Sequence, residues 1–124
     1  MIDIIEEKLG GIMLAYPERI TLNGRHIALP ARPADRLRRV LRELVDNAIR
    51  HGALAVSHGK LAVTWRLTVN GSRRLHMAWS EHGMSSLSIP ERLGLGTQVI
   101  AAAVENCERT YRPDGMRWTF ELSV

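Results

Sequence analysis

The stretch Arg42–Gly52, RELVDNAIRHG, ends the longest helical pattern in the chain and decides how the fold is interpreted. The pattern runs from Pro33 to His51, where apolar residues recur at three- and four-residue steps. Its apolar stripe consists of Leu37, Val40, Leu41, Leu44, Val45, Ala48 and Ile49. Proline suits the first turn of a helix and glycine commonly ends one, so Pro33 and Gly52 mark the limits. One face of this helix is predicted to pack on a sheet.

Two polar side chains lie along one edge of the predicted helix. Glu43 and Asn47 are four residues apart, so they project from the same side, beside the apolar stripe. Arg39, Arg42 and Asp46 are predicted to point towards solvent. A carboxylate and an amide one helical turn apart can hold a hydrated Mg²⁺, because that ion prefers oxygen ligands. Taken alone, the pair is also explained as an ordinary polar helix edge.

A hairpin is predicted in the middle of the chain. Apolar residues occupy alternate positions from Lys60 to Val69, the two-residue period of a half-buried strand. Asn70-Gly71 then favours a tight turn, and the alternation resumes at Leu75, Met77 and Trp79. Two antiparallel strands joined by this turn are the expected structure.

The C-terminal third of the sequence alternates between a helix and strands. A loop over residues 81–93 contains glycine, serines and a proline, and the segment Gly94-Leu95-Gly96-Thr97 then opens a helix. A strand is predicted at Glu108–Tyr111, followed by the turn Pro113-Asp114-Gly115 and a final strand over 116–124.

The N-terminal third is predicted to hold one helix and an edge ribbon. Apolar residues between Ile2 and Leu14 have loosely helical spacing. Short strands at Ile20–Leu22 and His26–Leu29 flank Asn23-Gly24, a pair that tolerates the positive φ angles of a hairpin turn. We therefore expect these two strands to pair with each other.

Together these elements predict an α+β fold. It is a two-layer sandwich in which helices cover one face of a mixed, mostly antiparallel sheet. A chain of 124 residues is long enough for one such core, so a single domain is expected over 1–124, with an N-terminal helical segment at 1–18.

Composition narrows the functional classes. The formal charge of +4 invites a nucleic-acid partner, but the arginines are spread along the chain, and the densest group lies on one helix. A solvated face or a protein-docking patch fits that distribution better, and no nucleic-acid partner is expected. No apolar stretch approaches the length of a membrane span and no secretory signal is visible, so a cytoplasmic location is expected. The lone Cys107 is interpreted as a half-buried structural thiol.

Two further segments could bind a nucleotide. The turn at Gly94, Gly96 and Thr97 precedes a helix, whose free N–H groups and positive dipole end favour phosphate. It is neither a Walker loop nor a Rossmann fingerprint, and a plain loop-to-helix junction explains it as well. Glu81 at a strand end could accept a hydrogen bond from the adenine amine, with Gly83 allowing the ring to approach. A surface turn explains those two residues equally well.

The order of these segments resembles that of a known family. Residues 43–54 resemble the N box of GHKL-type ATPases, and the Gly-Ala-Leu ending is similar to that of histidine kinases of the HWE type. Trp79-x-Glu81-x-Gly83 resembles the Trp-x-Glu form of the G1 box, and Gly94-x-Gly96-Thr97 resembles the G2 box. The turn ending at Gly115 is also similar to the end of such domains. The resemblance extends from about Arg19 to Val124 and identifies the catalytic ATP-binding domain.

This resemblance implies a set of roles and the cofactors ATP and Mg²⁺. Glu43 would be a base or water-orienting group near the transferred phosphoryl, and Asn47 would ligate the metal. Glu81 would recognise adenine. The remaining nucleotide-binding residues would be His51, Gly83, Gly94, Gly96 and Thr97. Residues 84–93 would form the ATP lid.

The resemblance also implies partners and leaves alternatives. Arg42 stands where HWE kinases have histidine, and Met84 stands where the G1 box has a second glycine. The phosphoryl group would pass to a histidine on a dimerisation domain or phosphotransfer protein, and indirectly to a response regulator. Since few residues precede the first strand candidate, we expect an excised domain or one that acts in trans. The alternatives are a degenerate docking module without catalysis and an anti-sigma-type serine kinase.

Overall fold

The computed structural model describes residues 4–83 and 95–124, except the side chains of 95–97. The described helices are α1 (Ile4–Ala15), α2 (Ala31–Arg50) and α3 (Leu95–Ala103), with a short 3-10 turn at Ala53–Ala55. The described strands are β1 (Ile20–Asn23), β2 (Lys60–Asn70), β3 (Ser72–His82), β4 (Glu105–Arg112) and β5 (Gly115–Ser123). Among these helices none is both long and apolar enough to cross a bilayer.

The strands form one mixed sheet in the order β1-β2-β3-β5-β4. Strand β1 is parallel to β2, and every other neighbouring pair is antiparallel. The β2–β3 hairpin turns at Gly71, whose φ of 78° is a conformation that glycine adopts without strain. The predicted hairpin and the predicted α+β sandwich are both confirmed.

The core lies between α2 and the inner face of the sheet. Five residues of the predicted stripe are fully buried in α2: Leu37, Val40, Leu41, Leu44 and Ala48. Of the other two, Val45 is partly buried, and Ile49 is 38% exposed, so its predicted place on the buried face is wrong. They share one hydrophobic cluster with alternate residues of the central strands: Leu61, Val63, Leu75, Met77, Trp79, Trp118, Phe120 and Leu122. Burying each large apolar side chain contributes about 1.5–3 kcal/mol, so this contact holds α2 rigidly on the sheet.

The predicted hairpin between residues 20–22 and 26–29 is wrong. Strand β1 pairs with β2 instead, in parallel, with Ile20 opposite Leu61. Such a hairpin turn needs positive φ, and among the described residues neither Asn23 nor Gly24 adopts it. Gly24 lies beneath the indole of Trp65, where a Cβ would come within 2.3 Å of the ring. The chain therefore continues towards α2 and does not turn back as a strand.

Strand β4 starts earlier than predicted and is irregular. It begins at Glu105, and its register against β5 shifts between Glu105 and Glu108. Asn106 adopts a positive φ of 48° at this bulge. Cys107 is partly buried, and burial raises the pKa of its thiol, as suits the structural role predicted for it.

Candidate functional site

Two polar side chains on α2 have no partner within the described part of the chain. Glu43 and Asn47 are partly buried, and neither makes a side-chain hydrogen bond or ion pair with residues 4–83 or 95–124. Some polar residues of this helix are paired: Arg50 binds Asp46 at 3.1 Å, and Arg38 binds Asp35 at 3.0 Å. The helix residues Arg32, Arg36, Arg39 and Arg42 also have no partner among the described residues, but they are exposed, whereas Glu43 and Asn47 are partly buried. The edge predicted from spacing therefore exists, and it presents a carboxylate and an amide that are available to a ligand.

Helix α2 ends one turn beyond Asn47. The His51 N–H donates to the Asn47 carbonyl at 2.9 Å, and the Gly52 N–H donates to the Ala48 carbonyl at 3.2 Å. The His51 side chain is exposed, and it has no polar contact with the described residues. This imidazole therefore lies at the same end of the helix as the candidate metal ligand.

The carboxylate of Glu81 lies beneath this helix end. Glu81 is only 1% exposed and is the one charged residue among the described residues that is fully buried. Its Oε1 accepts the Ala53 N–H at 2.9 Å, and its Oε2 accepts the indole N–H of Trp79 at 3.0 Å. Burial raises the pKa of Glu81, and these two hydrogen bonds act in the opposite direction. Glu81 thus connects the end of α2 to the end of β3.

Glycines allow this close approach. A Cβ on Gly52 would lie 2.0 Å from Glu81 Oε1, and one on Gly115 would lie 1.8 Å from the Glu81 carbonyl oxygen. Gly83 has a φ of 79°, and a Cβ there would lie 2.6 Å from the His58 carbonyl. Gly83, predicted to let the adenine ring approach, therefore makes room for the His58 backbone, and Gly52 and Gly115 make room for Glu81.

Sequence reasoning missed the burial of Glu81, although a signal was present. Leu75, Met77 and Trp79 occupy the inward positions of β3, and Glu81 is the next residue in that alternation. Because side chains two apart share one face of a strand, the alternation places Glu81 inside, next to Trp79. The Trp-x-Glu spacing thus has a structural consequence, since it lets the indole donate to the carboxylate.

Replacing Glu81 with glutamine is expected to remove a stabilising contribution that grows as the pH falls. Because the folded state raises the pKa of Glu81, the stabilisation from its bound proton is full below the ordinary value of 4.5 and is lost as pH rises through the folded pKa. The native chain should therefore gain stability relative to E81Q as the pH falls from neutral. Urea unfolding of both chains at neutral and mildly acidic pH measures this difference.

Two other carboxylates do not disturb that comparison. Hydrogen bonds lower the pKa of Glu105, chiefly from Ser123, and that of Glu121, chiefly from Asn106. Both groups lose stabilisation on acidification, which is the opposite sign, but they are present in both chains and cancel. An identical pH response of the two chains would contradict a raised pKa at Glu81.

Helix α3 supplies the third element of the site. It packs against α2 and begins at Leu95, so Gly96 and Thr97 lie in its first turn, where N–H groups lack partners within the helix. Gly94 and the predicted lid at 84–93 lie outside the described residues. The N-terminus of α3, where the helix dipole is positive, therefore belongs to a helix that packs directly on α2.

A groove of about 440 Å³ lies elsewhere, on the outer face of the sheet. Its lining includes Arg66, His76, Arg117 and Thr119, which alternate with the buried residues of their strands. None of the predicted site residues lines it. We therefore distinguish this groove from the candidate site at α2.

The donor groups fit a metal held jointly with a ligand. Among residues 4–83 and 95–124, no cluster of three or more histidine, cysteine, aspartate or glutamate side chains could hold a metal ion. Asn47 offers one free amide oxygen. Mg²⁺ commonly takes one or two protein oxygens, with the remaining ligands from water and substrate phosphates. The site therefore suits a magnesium nucleotide better than a metal bound by protein groups alone.

Known proteins with similar sequences are histidine kinases. The chain is 37% identical over 87 residues to the blue-light-activated histidine kinase of Rhizobium johnstonii, an alignment that covers 70% of this chain and 25% of the relative. The chain therefore spans about a quarter of the length of this relative. No model of a protein family matches the sequence.

Solved structures share the fold. The catalytic domain of histidine kinase ThkA is 17% identical, with a TM-score of 0.67, and the match covers 97% of this chain and 91% of that domain. ThkA in complex with the response regulator TrrA matches with a TM-score of 0.62 at 18% identity, covering 97% of this chain and 39% of that one. The blue-light-activated histidine kinase EL346 of Erythrobacter litoralis is 16% identical, with a TM-score of 0.70, covering 95% of this chain and 40% of that one.

The fold is thus the α+β sandwich that these solved structures share. This chain is similar in sequence to part of a histidine kinase, and its fold is that of histidine kinase catalytic domains.

Proposed function

We propose that this domain binds ATP through Mg²⁺ and transfers the γ-phosphoryl group to a histidine on a separate domain, as in two-component signalling. The observation that carries the proposal is the edge of α2, where the partly buried Glu43 and Asn47 have no partner among the described residues. Sequence similarity to a histidine kinase supports it independently.

The roles follow from the chemistry of each group. Asn47 would contribute its amide oxygen to the metal, and Glu43, one turn earlier, would accept a proton or orient the attacking group. When bound, Mg²⁺ would neutralise charge on the phosphates. The first turn of α3, with Gly96 and Thr97, would bind phosphate oxygens through its N–H groups, and Gly94, which precedes the helix in sequence, would join them. Such chemistry depends mainly on positioning and electrostatics, which a rigid α2 provides.

Glu81 would recognise the adenine. Each carboxylate oxygen has two acceptor positions, and the structure uses one on each for Ala53 and Trp79. The remaining positions could accept a hydrogen bond from the exocyclic amine. Gly83 would let the ring approach, and the exposed His51 would lie near the phosphates.

The partners would be those of a two-component kinase in the cytoplasm. The acceptor would be a dimerisation domain or phosphotransfer protein, and a response regulator would receive the group afterwards. The ThkA–TrrA complex supports a regulator as partner, because that kinase shares this fold. We assign the domain to the HWE type. Arg42, which replaces its histidine, is exposed on α2 and leaves the core undisturbed.

Replacing Asn47 with alanine is expected to weaken magnesium-dependent binding of a non-hydrolysable ATP analogue by at least about tenfold, since a ligand to the metal is lost. Titration calorimetry with and without Mg²⁺ measures this affinity. Asp46→Ala is the matched control, because Asp46 is adjacent on the helix and pairs with Arg50. Equal affinity in the two variants would remove Asn47 from the metal site. No binding by the folded native chain would refute ATP binding and leave a degenerate docking module.

A further inference from the structure

The side chain of Arg19, the residue before β1, makes hydrogen bonds with the turn that follows α2. Its Nε donates to the Gly59 carbonyl at 2.8 Å, and one terminal nitrogen donates to the Ala53 carbonyl at 2.9 Å and to the Val56 carbonyl. The guanidinium also lies 5.3 Å from the centre of the Tyr16 ring. One partly buried arginine therefore holds three carbonyls of the turn at residues 53–59.

Ala53 connects this arginine to Glu81. The Ala53 carbonyl accepts from Arg19, and the Ala53 N–H donates to Glu81 Oε1 at 2.9 Å. The turn has little room to adjust, because a Cβ on Gly59 would lie 1.7 Å from the Ala53 carbonyl oxygen. Movement of the Ala53 carbonyl would therefore displace the N–H that orients the Glu81 carboxylate.

The arrangement depends on the geometry of arginine. A guanidinium presents several N–H donors in a rigid planar fork, whereas a lysine ammonium is a compact group on a flexible stem. Residues 53, 56 and 59 are spaced so that two nitrogens of one fork reach all three carbonyls. Lysine at this position would retain the charge but hold fewer of these carbonyls at once.

We infer that Arg19 is a positioning residue for base selectivity, and this inference rests on the proposed ATP site. Adenine presents an amine donor where guanine presents a carbonyl acceptor. A carboxylate fixed by Ala53 and Trp79 offers acceptor positions in set directions, which favours adenine over guanine. Releasing Ala53 frees Oε1 to rotate, so the distinction between the two bases weakens.

The test compares ATP and GTP. Titration calorimetry with non-hydrolysable analogues of both, in Mg²⁺, is carried out on the native chain, on Arg19→Met and on Arg25→Met. Arg25 is the control because its exposed side chain has no polar contact with the described residues. The ratio of ATP to GTP affinity should fall about tenfold in R19M, which corresponds to roughly 1.4 kcal/mol. It should stay unchanged in R25M.

A second readout follows the contact itself. Hydrogen exchange of the Ala53 amide, measured by NMR, should accelerate in Arg19→Met and, to a smaller extent, in Arg19→Lys. If R19M does not fold, R19K decides: a reduced affinity ratio with faster Ala53 exchange supports the inference, and a native ratio overturns it. A folded R19M with the native ratio also overturns it while ATP binding stands. Absence of ATP binding in the native chain overturns both proposals.

Discussion

Replacing Glu43 with glutamine is expected to slow phosphoryl transfer by about a hundredfold or more, because a positioned general base contributes at least that factor. Affinity for the ATP analogue should change little, since glutamine keeps the shape and one oxygen. Glu43 is partly buried and its side chain has no polar contact with the described residues, so the substitution removes no hydrogen bond or ion pair among them.

The rate is measured with radiolabelled ATP and a histidine-bearing dimerisation domain supplied in trans. Asp46→Asn is the matched control, because it makes the same carboxylate-to-amide change on α2 at a residue that is predicted to point towards solvent and that pairs with Arg50. A native rate in E43Q would rule out Glu43 as the base. A large loss of ATP affinity would show that its role is in binding.

Replacing Gly115 with alanine is expected to lower the free energy of unfolding by about 3 kcal/mol, the upper part of the usual range for overpacking. The new Cβ would lie 1.8 Å from the Glu81 carbonyl oxygen and 3.2 Å from His82 Cα. Both atoms belong to the backbone of β3, which is paired with the start of β5 at this point. A side chain could rotate away, but two paired strands must separate.

Urea unfolding measures the effect, with Gly10→Ala as control. Gly10 lies in α1, and nothing stands within 4 Å of a Cβ placed there. Alanine at that position should raise the free energy of unfolding by about 0.5–1 kcal/mol, because glycine is a poor helix former. If Gly115→Ala were as stable as the native chain, the close approach of β5 to Glu81 would be wrong.

The two predictions concern different parts of the proposed site: its predicted ligand-binding edge on α2 and the packing around Glu81. Glu43 is partly buried on the edge of α2, whereas Gly115 packs against the backbone carbonyl of the buried Glu81. Gly52 follows the end of α2 and lies against the Glu81 carboxylate. The predicted adenine-binding residue Glu81 thus depends on packing against glycines that have no proposed role in catalysis.

Much of the fold could be predicted from local pattern. The three-to-four-residue period of 37–48 determined that α2 would bury one face, and the two-residue period of 60–79 determined the β2–β3 hairpin. The same periodicity placed Glu43 and Asn47 side by side on the edge of α2. These outcomes depend on neighbours within a few residues, so the sequence contains the whole of the relevant information.

Contacts between distant segments decided the rest. Asn23-Gly24 favours a hairpin locally, but the parallel pairing of β1 with β2 and the packing of Trp65 on Gly24 prevail. The hydrogen bonds from Arg19 to Ala53 and from Ala53 to Glu81 join three segments, and no local periodicity of the sequence predicts them. A short motif contributes about 1 kcal/mol to its own conformation, and burial against a distant strand can exceed that. The sequence thus determined the helices, the central hairpin and the exposed polar edge, whereas the tertiary structure decided how the buried carboxylate is held beneath them.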